Sequence, residues 1–149
     1  MGDQSFWMLC EDGDIEGVQA AIANGADVNE ANDAGETGLM LALERSQNHV
    51  VQVLLQHPQI DVNKVDEDGW TALHSAVMGH NHEGLAALLA RGDELTPSIN
   101  QRINEEGYSP IMYAVWRHSV NCFHQLLTNP FVDLDTRDNY ERSPQEVCR

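Results

Sequence analysis

Residues 66–76 read DEDGWTALHSA and carry the pattern that decides the fold. A hydroxyl residue, Thr71, stands two positions after a turn glycine, Gly69, and a short apolar stretch follows it. A Thr or Ser side chain at such a point accepts hydrogen bonds from the unpaired amides of a helix start. The segment therefore predicts a tight turn followed by a capped helix.

The same arrangement recurs along the chain and indicates an internal repeat. Two further series keep step with the hydroxyl residues. The hydroxyl residues are Thr37, Thr71, Ser109 and Ser143, at separations of 34, 38 and 34. The second series consists of the alanines Ala42, Ala76 and Ala114. The third consists of the leucine pairs Leu54-Leu55, Leu88-Leu89 and Leu126-Leu127. A period of this length is typical of a solenoid built from stacked units.

Each repeat predicts two short antiparallel helices. Thr71 and Ser109 are the expected caps of a first helix of about eight residues, and Pro110 suits the first helical position. A break such as residues 79–81 precedes a second apolar stretch, for example residues 85–89. Helices this short are unstable alone, so neighbouring repeats must bury their apolar faces.

The second helices end at recognisable stop signals. Gly25 and Gly92 are the expected left-handed C-terminal caps. Residues 61–63, Asp-Val-Asn, predict an extended segment that leads into the next loop, and residues 91–97 predict a lengthened loop. We therefore expect an all-α solenoid of helix-turn-helix units joined by β-hairpin-like loops. Its one domain, residues 1–149, divides at about 3–31, 32–65, 66–103, 104–137 and a partial repeat 138–149.

Charge and composition restrict the partners. The 149 residues include 24 acidic and 8 basic side chains, for a net charge of −16, which disfavours nucleic acid and anionic membranes. The longest apolar run has six residues, and residues 1–20 lack the pattern of a secretory signal. The three widely spaced cysteines, Cys10, Cys122 and Cys148, suit reduced thiols. We expect a cytoplasmic monomer, with a nuclear location also open.

Motifs for catalysis and for metal binding are missing from the sequence. There is no Gly-rich phosphate loop, nucleophile elbow or dinucleotide fingerprint, and no C-x-x-C or H-E-x-x-H pattern. His80 and His82 stand beside Glu83, but turn histidines are the simpler interpretation. We therefore expect neither an enzyme nor a bound cofactor or metal.

These phased features resemble the ankyrin repeat, whose pattern is roughly D-x-x-G-x-T-P-L-H-x-A followed by a G-H break and V-x-x-L-L-x-x-G-A-D-V-N. Residues 66–76 and 25–29 agree best with it. The departures are Gly38 and Ala72 in place of Pro, Met40 and Met112 in place of His, and Glu141 in place of the turn Gly. Residues 1–18 are also similar to the myotrophin-type small ankyrin proteins.

The resemblance implies a non-enzymatic scaffold that binds another protein through its loop tips and through the concave surface formed by the first helices. It also implies that His74 forms hydrogen bonds across its loop. Carried over by position, the expected partner-binding residues are Asp33, Glu36, Glu44, Arg45, Glu67, Asp68, Trp70, Met78, Glu105, Glu106, Tyr108, Trp116, Arg117 and Tyr140.

Two interpretations of these residues stay open. In the first, Trp70, Met78, Tyr108 and Trp116 are apolar anchors in a carboxylate-rich groove, and the partner is a basic, partly apolar segment. In the second, the carboxylates form a solvated surface and the tryptophans pack on neighbouring loops.

Two other functions also stay open. The resemblance implies that Asn29 and Asn63 occupy positions modified by an asparaginyl hydroxylase. The partial last repeat suggests a piece of a larger ankyrin protein whose effector region lies elsewhere, with an exposed Val147 and Cys148 as its expected sign.

Overall fold

The computed structural model describes residues 4–147, so Asp3 and Cys148 lie outside the described residues. Within that range there are nine α-helices, one 3-10 helix at Gly92–Leu95 and no β-strand. The α-helices are α1 (Phe6–Asp12), α2 (Ile15–Ala23), α3 (Gly38–Glu44), α4 (Asn48–Gln56), α5 (Ala72–Met78), α6 (His82–Leu89), α7 (Pro110–Trp116), α8 (Val120–Leu127) and α9 (Pro144–Val147). None of the helices in this range is long and apolar enough to cross a bilayer.

The helices form two parallel rows, as a repeat stack requires. The inner row is α1, α3, α5, α7 and α9, and each member contacts the next. The outer row is α2, α4, α6 and α8, with the same progression. One continuous core runs through the stack from Phe6 to Val147. The structure therefore confirms an all-α solenoid rather than helices gathered around a central nucleus.

The repeated leucine pairs show how the stack buries its apolar surface. The first leucine of each pair, Leu54, Leu88 or Leu126, is fully buried between repeats. The second lies at the edge of the core, where Leu55 and Leu89 are partly buried and Leu127 is exposed. The first leucine of each pair thus belongs to the buried face of its outer helix, and the second lies at the edge of that face.

The predicted helix caps are confirmed in part. The Thr37 and Thr71 hydroxyls accept hydrogen bonds from the amides of Met40 and His74, each at 3.3 Å. The prediction was wrong for Ser109, which occupies the cap position of α7 but whose buried Oγ has no hydrogen-bond partner. Proline at the first position of α7 lacks an amide hydrogen and fixes φ, so this helix starts without a side-chain cap.

Two connecting segments, residues 61–63 and residues 91–97, differ from the sequence prediction. Residues 61–63 form a turn, because the amide of Asn63 donates to Asp61 Oδ1 at 2.9 Å. The inserted residues 91–97 contain the 3-10 helix rather than an open loop, since Leu95 is anchored in the core. Gly92 (φ 64°) begins this helix instead of capping α6, whereas Gly25 (φ 85°) does follow the end of α2 as predicted.

The last loop keeps its conformation despite losing the turn glycine. Glu141 has φ 62°, close to the 79° of Gly69 at the equivalent position. Non-glycine residues also adopt the left-handed conformation at the turns between paired helices, for example Ser46 at φ 57°. These residues carry the steric cost of that conformation, because their Cβ atoms approach the following carbonyl.

We predict that Ser46→Gly stabilises the protein. The substitution removes the strain of the left-handed conformation, and the greater entropy of glycine in the unfolded chain cancels part of this gain. The free energy of unfolding should therefore rise by about 0.5–1 kcal/mol. Gln52→Gly, on the exposed side of α4, is the control and should lower the free energy of unfolding by about 1 kcal/mol. Urea denaturation measures both, and a loss of stability in both variants would contradict the assignment of strain.

We predict unequal effects at the third leucine pair. Leu88→Ala should lower the free energy of unfolding by about 2–5 kcal/mol, since Leu88 is fully buried between repeats. Leu89→Ala should cost clearly less, because its side chain is partly exposed. Equal losses in urea denaturation would show that the register of α6 is misplaced.

Candidate functional site

The tips of successive loops are joined to one another by backbone hydrogen bonds. The amide of Asp66 donates to the carbonyl of Trp70 at 3.0 Å and closes the third loop. Backbone hydrogen bonds then join successive tips: Glu67 to the Ala34 carbonyl (3.1 Å), Asn104 to Asp68 (2.7 Å) and Asn139 to Glu106 (2.8 Å). Side chains on neighbouring tips are therefore held at a fixed spacing.

His74 links the third and fourth repeats, as expected. The Thr71 amide donates to His74 Nδ1 at 3.3 Å, so Nδ1 is the acceptor and Nε2 carries the hydrogen. Nε2 then donates to the carbonyl of Tyr108 at 2.9 Å. The ring is fully buried, and this burial lowers the pKa of His74 to about 4. His74 is thus a neutral bridge that positions Tyr108.

A groove of about 460 Å³ opens beside this bridge, between the third and fourth repeats. We call it the aromatic groove, and it is lined by Asp68, Trp70, Met78, Ile103, Asn104, Glu105, Glu106, Tyr108, Tyr113 and Trp116. Seven of these residues are among the partner-binding residues expected from the sequence. The structure thus brings Trp70, Met78, Tyr108 and Trp116 together with three carboxylates.

The rings of the aromatic groove pack in a defined order. Tyr108 and Tyr113 are 5% and 4% exposed and form its floor. The Trp70 ring meets Tyr113 edge-on at a centroid distance of 4.9 Å, and Trp116 lies 5.7 Å from Tyr113 and 6.1 Å from Tyr108. Trp116 remains 49% exposed. The groove therefore offers one half-exposed indole above a buried aromatic floor.

Tyr113 lines the aromatic groove but is not among the partner-binding residues expected from the sequence. It stands three residues before Trp116 on α7, a spacing that places two side chains on one helix face. That spacing is the signal that could have identified it. Ile103 and Asn104, in the loop before Tyr108, were also missed.

Carboxylates on the concave side repel one another. Partial burial, followed by the charge of Glu36, raises the pKa of Glu44. Burial also raises the pKa of Asp66, with the charges of Asp68 and Glu36 adding to it. Burial raises the pKa of both Tyr108 and Tyr113, and the charge of Glu106 contributes to each shift. The influence of carboxylate charge therefore extends from the second loop, which carries Glu36, to the floor of the aromatic groove.

The other expected partner-binding residues lie outside the aromatic groove. Arg45 forms an ion pair with Glu11 at 3.1 Å. Arg117 donates to the carbonyl of Met78 at 3.3 Å and so ties α7 to the end of α5. The rest are loop-tip or helix-end residues: Asp33 and Glu67 are exposed, Glu36 and Glu44 are partly buried, and Tyr140 is exposed.

The asparagines proposed for hydroxylation have structural partners. Asn29 Nδ2 donates to the Gln59 carbonyl at 2.8 Å, and its Oδ1 accepts from the amide of Asp61 at 2.8 Å. Asn63 Nδ2 donates to the Glu94 carbonyl at 2.7 Å, and its Oδ1 accepts from Ser98. Both side chains thus join one repeat to the next.

Chemically reactive groups are sparse in the described part of the chain. Residues 4–147 contain no cluster of three or more His, Cys, Asp or Glu side chains that could hold a metal ion. The thiols of Cys10 and Cys122 are free and buried, and burial raises the pKa of Cys10 to about 12. Burial raises the pKa of Cys122 as well. Neither thiol is suited to act as a nucleophile near neutral pH.

We predict that His74 makes stability fall as the pH drops from about 6.5 to about 4. Above this window the histidine is neutral in both states, while within it only the unfolded chain takes up the proton, which favours unfolding. The contribution amounts to roughly 3 kcal/mol. His74→Gln should be less stable at pH 7 and should lose this part of the pH dependence in urea denaturation.

Leu88→Ala is the control for that measurement, since it should lower stability equally at every pH. Parallel pH curves for the wild type and His74→Gln would contradict the neutral-bridge assignment.

Comparisons with known proteins agree with the repeat stack. A family model described as ankyrin repeats (3 copies) matches residues 6–98. The transient receptor potential cation channel subfamily A member 1 of Homo sapiens is 34% identical over 126 residues, which is 85% of this chain and 11% of the channel protein. The BTB/POZ domain-containing protein 1 of Schizosaccharomyces pombe is 35% identical over 108 residues, 70% of this chain and 8% of that protein.

The mitochondrial disaggregase of Bos taurus is 28% identical over 113 residues, which is 76% of this chain and 16% of that protein. The chain thus spans 8% to 16% of the length of these three relatives. The structure extends the repeat pattern beyond the matched residues, since α7, α8 and α9 continue both rows. The chain belongs to the ankyrin-repeat family, whose members are in general protein–protein interaction modules and typically not enzymes.

Proposed function

We propose that this chain is a non-catalytic adaptor that binds a basic, partly apolar segment of another protein along its acidic concave face and loop tips. One observation carries the proposal. Asp68, Glu105 and Glu106 line the aromatic groove beside a half-exposed Trp116, and none of the three pairs with a basic side chain within residues 4–147. A basic segment supplies the missing positive charge.

The electrostatics of the concave side support the same proposal. Burial, and after it the charges of neighbouring carboxylates, raises the pKa of Glu44 and of Asp66 in the free protein. A cationic partner relieves this repulsion on binding. With a net charge of −16, the protein also attracts such a partner from a distance, and added salt screens that attraction.

In the competing interpretation, the carboxylates form a solvated surface and the tryptophans pack on neighbouring loops. This interpretation describes Trp70 better than Trp116. Trp70 packs on Tyr113 of the next repeat, and its Nε1 donates to Ser75 Oγ at 2.8 Å. Trp116 has no such hydrogen bond from its indole to any described residue and exposes about half of its surface. Tryptophan with this exposure, set among aromatic rings, is typical of an interface anchor.

The free thiols of Cys10 and Cys122 support placing this interaction in a reducing compartment, the cytoplasm or the nucleus. Charge balance supports a partner that is a protein rather than nucleic acid or an anionic membrane.

We predict that reversing the charge of the loop tips abolishes binding. In a variant with Glu67, Asp68, Glu105 and Glu106 all changed to Lys, the partner segment meets repulsion instead of attraction. Affinity capture with the wild-type chain, compared by quantitative mass spectrometry at low and high salt, should recover basic proteins that the variant loses.

The matched control changes to Lys four acidic residues that lie outside the loop tips and the aromatic groove: Glu16 of α2, Glu83 of α6, Asp93 of the 3-10 helix and Asp135 of the turn after α8. It carries the same change in net charge and should retain the captured proteins. If both variants lost the captured proteins equally, the loss would come from the change in net charge, and this result would contradict a binding site on the concave face.

A further inference from the structure

We infer that the aromatic groove holds the side chain of an arginine that the bound protein segment inserts between the third and fourth loop tips. This inference rests on the proposed function and specifies its central contact. It is carried by the joint placement of aromatic rings, unpaired carboxylates and a half-exposed indole in one groove.

The aromatic rings provide a surface for a cation. Tyr113 and Tyr108 form the floor, and Trp116 stands over them with centroid distances of 5.7 and 6.1 Å. The face of an aromatic ring carries partial negative charge and attracts a cation placed above it, most strongly in the case of tryptophan. Because Trp116 is about half exposed, its ring can accept such a contact without rearrangement of the floor.

The carboxylates provide the second part of the site. Asp68 comes from the third loop, and Glu105 and Glu106 come from the fourth loop. The hydrogen bond from the Asn104 amide to the Asp68 carbonyl, at 2.7 Å, holds these two loops together. Carboxylates from both loops therefore flank the same opening.

Arginine fits this combination better than lysine or an apolar side chain. Its planar guanidinium stacks on aromatic rings, donates paired hydrogen bonds to a carboxylate and is weakly hydrated. A lysine ammonium is compact and strongly hydrated, so it gains less from an aromatic floor. An apolar side chain would take water from the carboxylates without replacing their hydrogen bonds.

The next loop of this chain already contains such an arrangement. The guanidinium of Arg142 lies over the ring of Tyr140, 5.1 Å from its centroid, and its Nε donates to Asp138 Oδ2 at 2.7 Å. Arg142 also donates to the hydroxyl of Tyr108 at 3.3 Å, so this internal site borders the aromatic groove. The aromatic groove has the rings and the carboxylates, but among residues 4–147 no guanidinium makes a cation–π contact with its rings.

Arg117 fixes the direction in which the ligand enters. Its Nη2 donates to the carbonyl of Met78 at 3.3 Å, so its positive charge lies at the helix end of the groove. An incoming guanidinium is repelled from that end and attracted to Glu105 and Glu106 at the loop tips. We therefore place the ligand's cation on the loop-tip side of Trp116.

The test is an NMR titration of the full chain, labelled with nitrogen-15, with N-acetyl-arginine methylamide as the probe. The indole Nε1–H signals of Trp70 and Trp116 should shift, while that of Trp7, in the first repeat, should stay in place. N-acetyl-lysine methylamide should bind more weakly and shift both indole signals less, because its ammonium is strongly hydrated and cannot stack on the rings or donate paired hydrogen bonds to a carboxylate. The neutral N-acetyl-citrulline methylamide should cause no comparable shift. Equal shifts with the three probes would overturn the inference.

Variants separate the two parts of the site. Glu105→Gln with Glu106→Gln should weaken binding of the arginine probe, whereas Glu16→Gln with Glu83→Gln, on outer helices, should leave it unchanged. Trp116→Leu should weaken binding of the arginine probe about two- to fivefold. The indole signal of Trp70 reports the titration of this variant. Glu105 and Glu106 lie on a loop tip, and urea denaturation checks that their variants remain folded. Unchanged probe affinity in both groove variants would overturn the inference.

The outcome also separates this inference from the proposed function. If the loop-tip charge reversal abolishes partner capture but the arginine probe shifts neither indole, the concave interface stands and the arginine site fails. If the probe binds as expected but the charge reversal leaves capture unchanged, the arginine site stands and the proposed interface fails.

Discussion

The structure depends on burial between repeats, because none of its helices is long enough to be stable alone. The helices described have four to nine residues, fewer than an isolated helix needs in water. Leu54, Leu88 and Leu126 are fully buried, and the helix that carries each of them packs on the inner helix of its own repeat and on a neighbouring helix of the outer row. Stability is therefore distributed along the stack as a sum of similar interfaces.

This distribution leaves the loop tips free to serve a function. The tips contribute little to the core, yet backbone hydrogen bonds between neighbouring tips hold them in register. The His74 bridge adds a buried link from the third repeat to the fourth. A rigid edge of this kind can present side chains without paying the ordering entropy that a flexible loop pays on binding.

Several carboxyl groups of the inner helices and loop tips lie where burial and neighbouring negative charges disfavour their ionised form. Burial, and after it the charge of Glu36, raises the pKa of both Glu44 and Asp66, while Arg45 pairs with Glu11 and Arg117 donates to the backbone. Local conflicts of this kind are expected at functional sites, where stability is given up for binding.

Much of this protein follows from its sequence, because a repeat is a local pattern. The spacing of Thr37, Thr71 and the leucine pairs determined the helix pairs, their order and the existence of a stack, and residue position within the repeat identified seven residues of the aromatic groove. The family pattern also implied the role of His74.

Only the tertiary structure decided what depends on contacts between repeats. Ser109 has the residue type of a cap but lacks the hydrogen bond, and the insertion at residues 91–97 folds into a 3-10 helix because Leu95 reaches the core. Tyr113 joins the aromatic groove because stacking brings α7 against the Trp70 loop. Side chains some 40 residues apart meet only once the stack sets their distance, so local periodicity places them in a repeat without showing which of them touch.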